Sequence, residues 1–223
     1  MQHPSGGYVF VVTYGRSGST VLQTVLQSID GYHIRGENNQ LLQPIFEAYK
    51  LAFVARHEHG KTNPTPEKPW YGANMIDPVR YAERLCALFV EEILQPTENA
   101  RVVGFKEIRF HQVGDGEFEN FLNFMNHFFP GTKFIFNTRN WQDVARSSWW
   151  RTMSPEKVRS MVESCDSLYA AYAAKYPERS YLMKYEHFKG NAGAFAGLFD
   201  FLGESFDEDC IRKVINKELN HCK

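Results

Sequence analysis

The segment 8–29, YVFVVTYGRSGSTVLQTVLQSI, constrains the fold more than any other part of the chain. Its first seven residues are β-branched or aromatic with no polar alternation, the pattern of a strand buried on both faces of a parallel sheet. Residues 20–29 then place Val21, Leu22, Val25, Leu26 and Ile29 on one helical stripe. The turn between them, YGRSGST, has the makings of an anion cradle. Gly15 and Gly18 let the backbone curl, the amides of the turn and of the helix N-terminus converge, and Ser17, Ser19 and Thr20 add hydroxyl donors. Arg16 adds a planar cationic fork suited to phosphate or sulfonate oxygens.

Three further runs read as buried strands: RVVGF (101–105), KFIFNT (133–138) and SYLMKY (180–185). Between them lie helix signals. Asp77-Pro78 pairs an N-cap with a first-turn proline and opens a helix to about Leu94; Ser154-Pro155 repeats the device ahead of Val158, Met161, Val162, Cys165, Leu168 and Tyr169. Two more helices are expected over roughly 191–202 and 207–219. Strands alternating with helices predict an α/β fold, a mostly parallel sheet with helices on both faces. Residues 57–74, rich in proline and poor in aliphatics, read as a long inserted loop.

With 25 Lys and Arg against 26 Asp and Glu, the chain lacks the basic excess of a protein that coats nucleic acid. Any anion must be gripped by a local site. No apolar run is long enough to span a membrane and no secretory leader pattern opens the chain, so a cytoplasmic location is expected. Cys86, Cys165, Cys210 and Cys222 are scattered and read as isolated thiols rather than a zinc or disulfide framework.

A triphosphate loop, G-x-x-x-x-G-K-[ST], needs a lysine on the phosphates and a following hydroxyl on magnesium. Here Gly18 is followed by Ser19-Thr20, and no lysine occurs before Lys50. A small-molecule kinase of P-loop type, or a nucleotide-binding protein without catalysis, therefore stand as alternatives rather than the leading reading.

YGRSGSTVL resembles the 5′-phosphosulfate loop of sulfotransferases that use 3′-phosphoadenosine 5′-phosphosulfate (PAPS), in the carbohydrate, bacterial glycolipid and tyrosylprotein branch, where an Arg-Ser-Gly run replaces the lysine-bearing version. That resemblance implies a P-loop-type single domain over residues 1–223, with an acceptor-binding insertion at about 39–100. It also implies a 3′-phosphate clamp, an arginine closing a later strand and a serine eight residues on. KFIFNTRNWQDVARSSWW supplies Arg139, and Ser147 about two turns into the next helix. YLMKYEHF is similar to the family segment that brings a tyrosine, here Tyr185, near the nucleotide, with Glu186 structural. A closing basic segment would come from Lys189-Gly190 or Lys217.

The same resemblance implies roles in catalysis. Arg16 and Lys106, at the end of the 101–105 strand, would neutralise charge on the leaving phosphate. Glu37 in RGEN resembles the catalytic carboxylate of one branch and Glu107 in KE that of another, with Glu37 preferred; a raised pKa would suit either as general base. PAPS would be the donor and 3′,5′-adenosine bisphosphate (PAP) the product, with no metal required. The acceptor would carry a hydroxyl or amine, most naturally on a carbohydrate, glycolipid or secondary metabolite. Trp70, Tyr71, Trp149 and Trp150 are candidates to stack on it. The aromatic-rich segments are also compatible with a homodimer.

Overall fold

The computed structural model describes residues 3–221, with side chains to residue 216; Cys222 and the Lys217 side chain lie outside the described residues. The elements run β1 (Tyr8–Val12), α1 (Ser19–Gln27), β2 (Tyr32–Arg35), α2 (Leu42–Val54), α3 (Pro78–Phe89), β3 (Val102–Glu107), α4 (Phe118–Phe128), β4 (Lys133–Thr138), α5 (Trp141–Ala145), α6 (Pro155–Lys175), β5 (Ser180–Lys184), α7 (Tyr185–Phe188), α8 (Ala196–Leu202) and α9 (Glu208–His221). The five strands form one sheet in the order β2-β3-β1-β4-β5, every pairing parallel.

Strand alternation divides the core in two. Tyr8, Phe10 and Val12 of β1 enter an aromatic cluster with Phe105, Phe134 and Phe136, covered by α2, α3, α4 and α6. Val9 and Val11 point the other way, into a cluster closed by α1, α8 and α9. Leu22, Val25 and Leu26 are fully buried there; each contributes about 2 kcal/mol of apolar burial. The stripe read in the sequence is thus the stripe that docks α1 beneath the sheet.

β1 ends in register with both neighbours, Val12 opposite Glu107 on β3 and Phe136 on β4. After α1 the chain runs out to β2, returns to β3, and only then crosses β1 to β4. Strand order therefore reverses at β1, and the crevice beyond its carboxyl end is where such sheets bind ligands. The 13–18 turn, Lys106, Glu107 and Arg139 all fall at that edge.

Four elements had no counterpart in the sequence reading: β2, α2, α4 and α7. The expected long loop at 57–74 begins as a π-turn, Ala55–His59, and carries a short 3-10 turn, Ala73–Met75. The expected helix to Leu94 is α3 followed by a π-turn, Val90–Leu94. No helix of the described residues is long and apolar enough to cross a membrane.

Candidate functional site

The turn after β1 is stapled to the end of β4. The Thr13 hydroxyl donates to the Asn137 carbonyl at 2.7 Å and lies 2.7 Å from Ser17 Oγ, while Asn137 Nδ2 donates to the Ser17 carbonyl at 3.0 Å. Ser17 and Ser19 are buried and Thr20 is exposed. The Ser17 hydroxyl therefore braces the turn from inside, rather than facing an anion as the sequence suggested.

Arg16 is exposed and holds a left-handed backbone, φ 68°, which is uncommon for a non-glycine residue. Gly18, φ 81°, caps α1, whose first turn carries no acidic residue. A Cβ on Gly18 would lie 2.1 Å from Tyr185 Cδ2, and one on Gly15 would lie 2.8 Å from Trp149 Cζ2. Both glycines are required by aromatic rings that press on the turn. Trp150, buried, donates its Nε1 proton to the Gly15 carbonyl at 3.0 Å. Of the two adjacent tryptophans, only Trp149 is open to solvent.

The second motif meets the first at this turn. Arg139 Nη1 donates to the Arg16 carbonyl at 2.8 Å, and Arg16 Nε donates to Ser147 Oγ at 2.9 Å. Arg139 also lies over the Tyr185 ring, 4.3 Å from its centroid, and its Nε is buried without a hydrogen-bond partner. Tyr185 opens α7 instead of ending β5. Ser147 departs from expectation too: α5 stops at Ala145, and Ser147 is extended, capping a 3-10 turn over Ser148–Thr152. The helix ends early because the chain must swing Trp150 back under Gly15. Glu186 accepts the Asn140 N–H at 2.8 Å, a structural contact.

Behind Arg139 sits a pair that the sequence did not disclose. Tyr14 Oη accepts the Arg139 N–H at 2.8 Å and reaches Asp166 Oδ1 on α6 at 3.0 Å. Burial pushes the Asp166 carboxyl up to about 6 and the Tyr14 phenol well above its ordinary value.

The third group surrounds the end of β3. Lys106, 5% exposed, donates to Glu37 Oε1 at 2.6 Å, and Arg109 Nη1 lies 3.5 Å from Glu37 Oε2. Despite these two cations the Glu37 side chain is 36% exposed. Glu107 is different. It is fully buried; Oε2 accepts the N–H groups of Asn38 and Gln40 at 2.9 and 3.0 Å, and Oε1 those of Ile108 and Arg109 at 2.7 and 3.1 Å. Burial pushes this carboxyl up, but the backbone donors and Arg109 outweigh burial and hold it below its ordinary value. The expectation that Glu107 could serve as a base with a raised pKa is corrected: with both oxygens occupied, it fixes the 37–40 turn that carries Glu37. Arg109, which bridges the two carboxylates, went unremarked in the sequence because nothing local marks it.

Elsewhere in the chain, Trp70 and several histidines make contacts of their own. His59 stacks on Trp70 at 3.7 Å and His57 on Phe53 at 4.0 Å. His33 Nε2 bonds the Leu94 carbonyl at 3.1 Å. Tyr71 is exposed. Lys189 Nζ lies 6.0 Å from the Tyr185 ring centroid. Cys86 and Cys165 are buried free thiols and Cys210 is an exposed one. Among the described residues no group of three or more His, Cys, Asp or Glu side chains gathers as a metal site would.

Residues 8–208 match the model of a family described as the sulfotransferase family. No curated protein matches the chain in sequence. Among solved structures, a sulfotransferase from Mycobacterium avium is similar, with 10% sequence identity and a TM-score of 0.43 over 98% of this chain and 69% of that one.

Proposed function

The chain belongs to the sulfotransferase family, and from that premise we propose that it moves a sulfuryl group from PAPS to a hydroxyl or amine of an acceptor, with PAP as the second product. One observation carries the reading. Two motifs 123 residues apart in sequence converge, Arg139 on the Arg16 carbonyl and Arg16 on Ser147. A single donor with phosphate groups at both ends would explain why both are built at one sheet edge.

The residues fit such a donor. The amides of Gly15 to Thr20, the Thr20 hydroxyl and Arg16 hold the 5′-phosphosulfate at the unacidic N-terminus of α1. Arg139 and Ser147 hold the 3′-phosphate, the Arg139 guanidinium being anchored by its Nη1 on the Arg16 carbonyl. Tyr185, already stacked on Arg139 and packed on Gly18, walls the nucleotide.

When bound, the donor supplies an electrophilic sulfur on a phosphate leaving group. The acceptor oxygen forms the new S–O bond as the S–O bond to the 5′-phosphate breaks. Glu37 takes the acceptor's proton, its part-exposed side chain leaving room for that hydroxyl. Lys106, 2.6 Å from Glu37, supplies positive charge beside both the base and the leaving phosphate. Glu107 and Arg109 keep Glu37 in register and touch no substrate. A carbohydrate, glycolipid or secondary metabolite is the acceptor class we favour.

Calorimetric titration with PAP, AMP and magnesium-ATP tests the donor. PAP is expected to bind in the micromolar range and AMP far more weakly. Arg139→Ala should weaken PAP by about tenfold to a hundredfold, the worth of a charge-assisted contact to phosphate. ATP binding as tightly as PAP, with no effect of Arg139→Ala, would overturn the donor assignment in favour of phosphoryl transfer.

A further inference from the structure

Fourteen large apolar side chains stand exposed among the described residues, and all but Trp149, Met153 and Leu182 lie between Leu41 and Ile93. Exposure gathered in one segment marks an interaction surface, whereas single exposed apolar side chains are ordinary. α3 and the π-turn that extends it give this segment its most regular face. Ala82, Cys86, Phe89, Val90 and Leu94 point into the aromatic core. On the opposite side Tyr81, half-buried Leu85 and Leu88 follow one another at spacings of four and three, with Tyr81 46% and Leu88 52% exposed. The wider i to i+5 spacing of the π-turn then continues the line at exposed Ile93, five residues on.

Charge runs beside this stripe in a fixed order. Arg84 stands three residues after Tyr81 and Glu91 three after Leu88, so the two exposed residues lie a heptad apart on one flank. Glu92 adjoins Glu91 and is exposed as well. Among the described residues none of the three has an ion-pair partner, although Lys50 on neighbouring α2 engages both Glu47 and Glu117. Glu83 lies about 100° further round the helix than Arg84, away from the stripe.

We propose that this face is a homodimer interface, with α3 packed antiparallel on α3 of a second copy about a twofold axis near residue 87. That axis sets Tyr81 against the partner's Ile93 and Leu85 against the partner's Leu88, and symmetry repeats both contacts. It also brings Arg84 to the partner's Glu91, because a twofold that exchanges two antiparallel helices keeps matching flanks on the same side. A parallel pairing would set arginine on arginine and glutamate on glutamate, so the order of charge selects the antiparallel one. An anionic lipid surface suits the face less well, since Glu91 and Glu92 would be held against it. α3 has twelve residues and the π-turn five, about 25 Å of helix. One such pair stands at the small end of specific interfaces, and the dimer is therefore micromolar. No residue assigned to the donor or to the base lies on α3, so the interface does not depend on the sulfuryl-transfer reading.

Sedimentation velocity from about 1 to 100 µM tests it, and the wild type is expected to pass from monomer to dimer across that range. Leu88→Glu should stay monomeric throughout, with its unfolding midpoint and PAP affinity those of the wild type. Arg84→Glu should weaken the dimer about tenfold by setting like charges together at two symmetry-related contacts, and adding Glu91→Arg should restore it. A wild type that remains monomeric, a dimer indifferent to Leu88→Glu, or a double charge swap without rescue would each overturn the proposal. Flotation with vesicles of phosphatidylcholine and phosphatidylserine covers the other occupant. Monomeric wild type that floats, and Leu88→Glu that does not, would assign the face to a lipid surface instead.

Discussion

The Tyr14 phenol oxygen stands 3.0 Å from Asp166 Oδ1 and 2.8 Å from the Arg139 amide nitrogen, so one side chain in the loop after β1 links α6 to the residue assigned to the 3′-phosphate. Two sequence-distant segments thus share a buried brace that neither the loop motif nor the arginine motif contains in full.

That brace makes stability depend on pH in a defined direction. Burial raises the Asp166 carboxyl from 3.8 to about 6, the Tyr14 hydrogen bond and Lys184 opposing the rise and Glu186 and Glu163 adding to it. Between those values the folded chain keeps a proton that the unfolded chain has lost, so this group's contribution falls as pH rises from about 4 to about 6 and stays low above. The window is on the order of 2 kcal/mol after allowance for partial exposure. Asp166→Asn keeps an acceptor for Tyr14 and removes the buried charge. Its midpoint of thermal unfolding should gain on the wild type progressively across that range, as read by calorimetry at successive pH values. A difference that stays flat with pH would refute the assignment.

Gly18 tests the cradle. At φ 81°, any side chain pays the left-handed penalty of about 1–2 kcal/mol, and a methyl group would also meet Tyr185 at 2.1 Å. Gly18→Ala should destabilise by about 2 kcal/mol or more in urea unfolding and weaken PAP. Adding Tyr185→Ala should recover the steric part and leave the backbone part, a coupling that a double-mutant cycle measures. Simple additivity would mean that the ring does not press on this glycine.

The adjacent tryptophans separate in the same assay. Trp150→Phe strips the donor from the buried Gly15 carbonyl, and about 1–3 kcal/mol of unfolding free energy should go with it. Trp149 is half exposed, with Arg16 5.9 Å from its ring centroid; Trp149→Phe should stay within about 0.5 kcal/mol. Equal costs for the two would contradict the inward and outward assignment.

Much of this was legible because it is local. β1, the turn and α1 are continuous in sequence, and their periodicity names the buried face without reference to the rest of the chain. β4 and α6 announced themselves by a buried run and by a Ser-Pro start. β2 did not, being four residues long with only Tyr32 and Ile34 buried. α2 carries Pro44 in its first turn and lacks a side-chain cap, and α4 is built on Phe118, Phe121, Phe124 and Phe128, residues that favour strands until a sheet is there to cover them. In the site, the motifs gave Arg16, Arg139 and Lys106, but the meaning of each carboxylate lay in contacts between distant residues. Glu37 and Glu107 look interchangeable in sequence; only packing shows one part-exposed and the other saturated with N–H donors. Tyr14 and Asp166, 152 residues apart, had no sequence signal joining them.

The two carboxylates can be told apart by experiment. Glu37→Gln still offers an oxygen to Lys106, so the fold and PAP affinity should persist while turnover with PAPS and an acceptor drops about 10²- to 10⁴-fold, the usual worth of a general base. Glu107→Gln replaces an oxygen that accepts two N–H groups with an amide that donates, leaving donors facing donors at Asn38 and Gln40 or at Ile108 and Arg109. It should destabilise by several kcal/mol, and any loss of turnover should follow from misplacing Glu37. The pH signature is opposite to that of Asp166. Because the folded Glu107 carboxyl lies below 4.5, its stabilisation is present above that value and fades as pH falls through the folded pKa. The stability gap between wild type and Glu107→Gln should therefore narrow toward acid. If Glu107→Gln instead abolished turnover with its unfolding midpoint intact, while Glu37→Gln stayed active, Glu107 would be the base and the roles drawn here would be reversed.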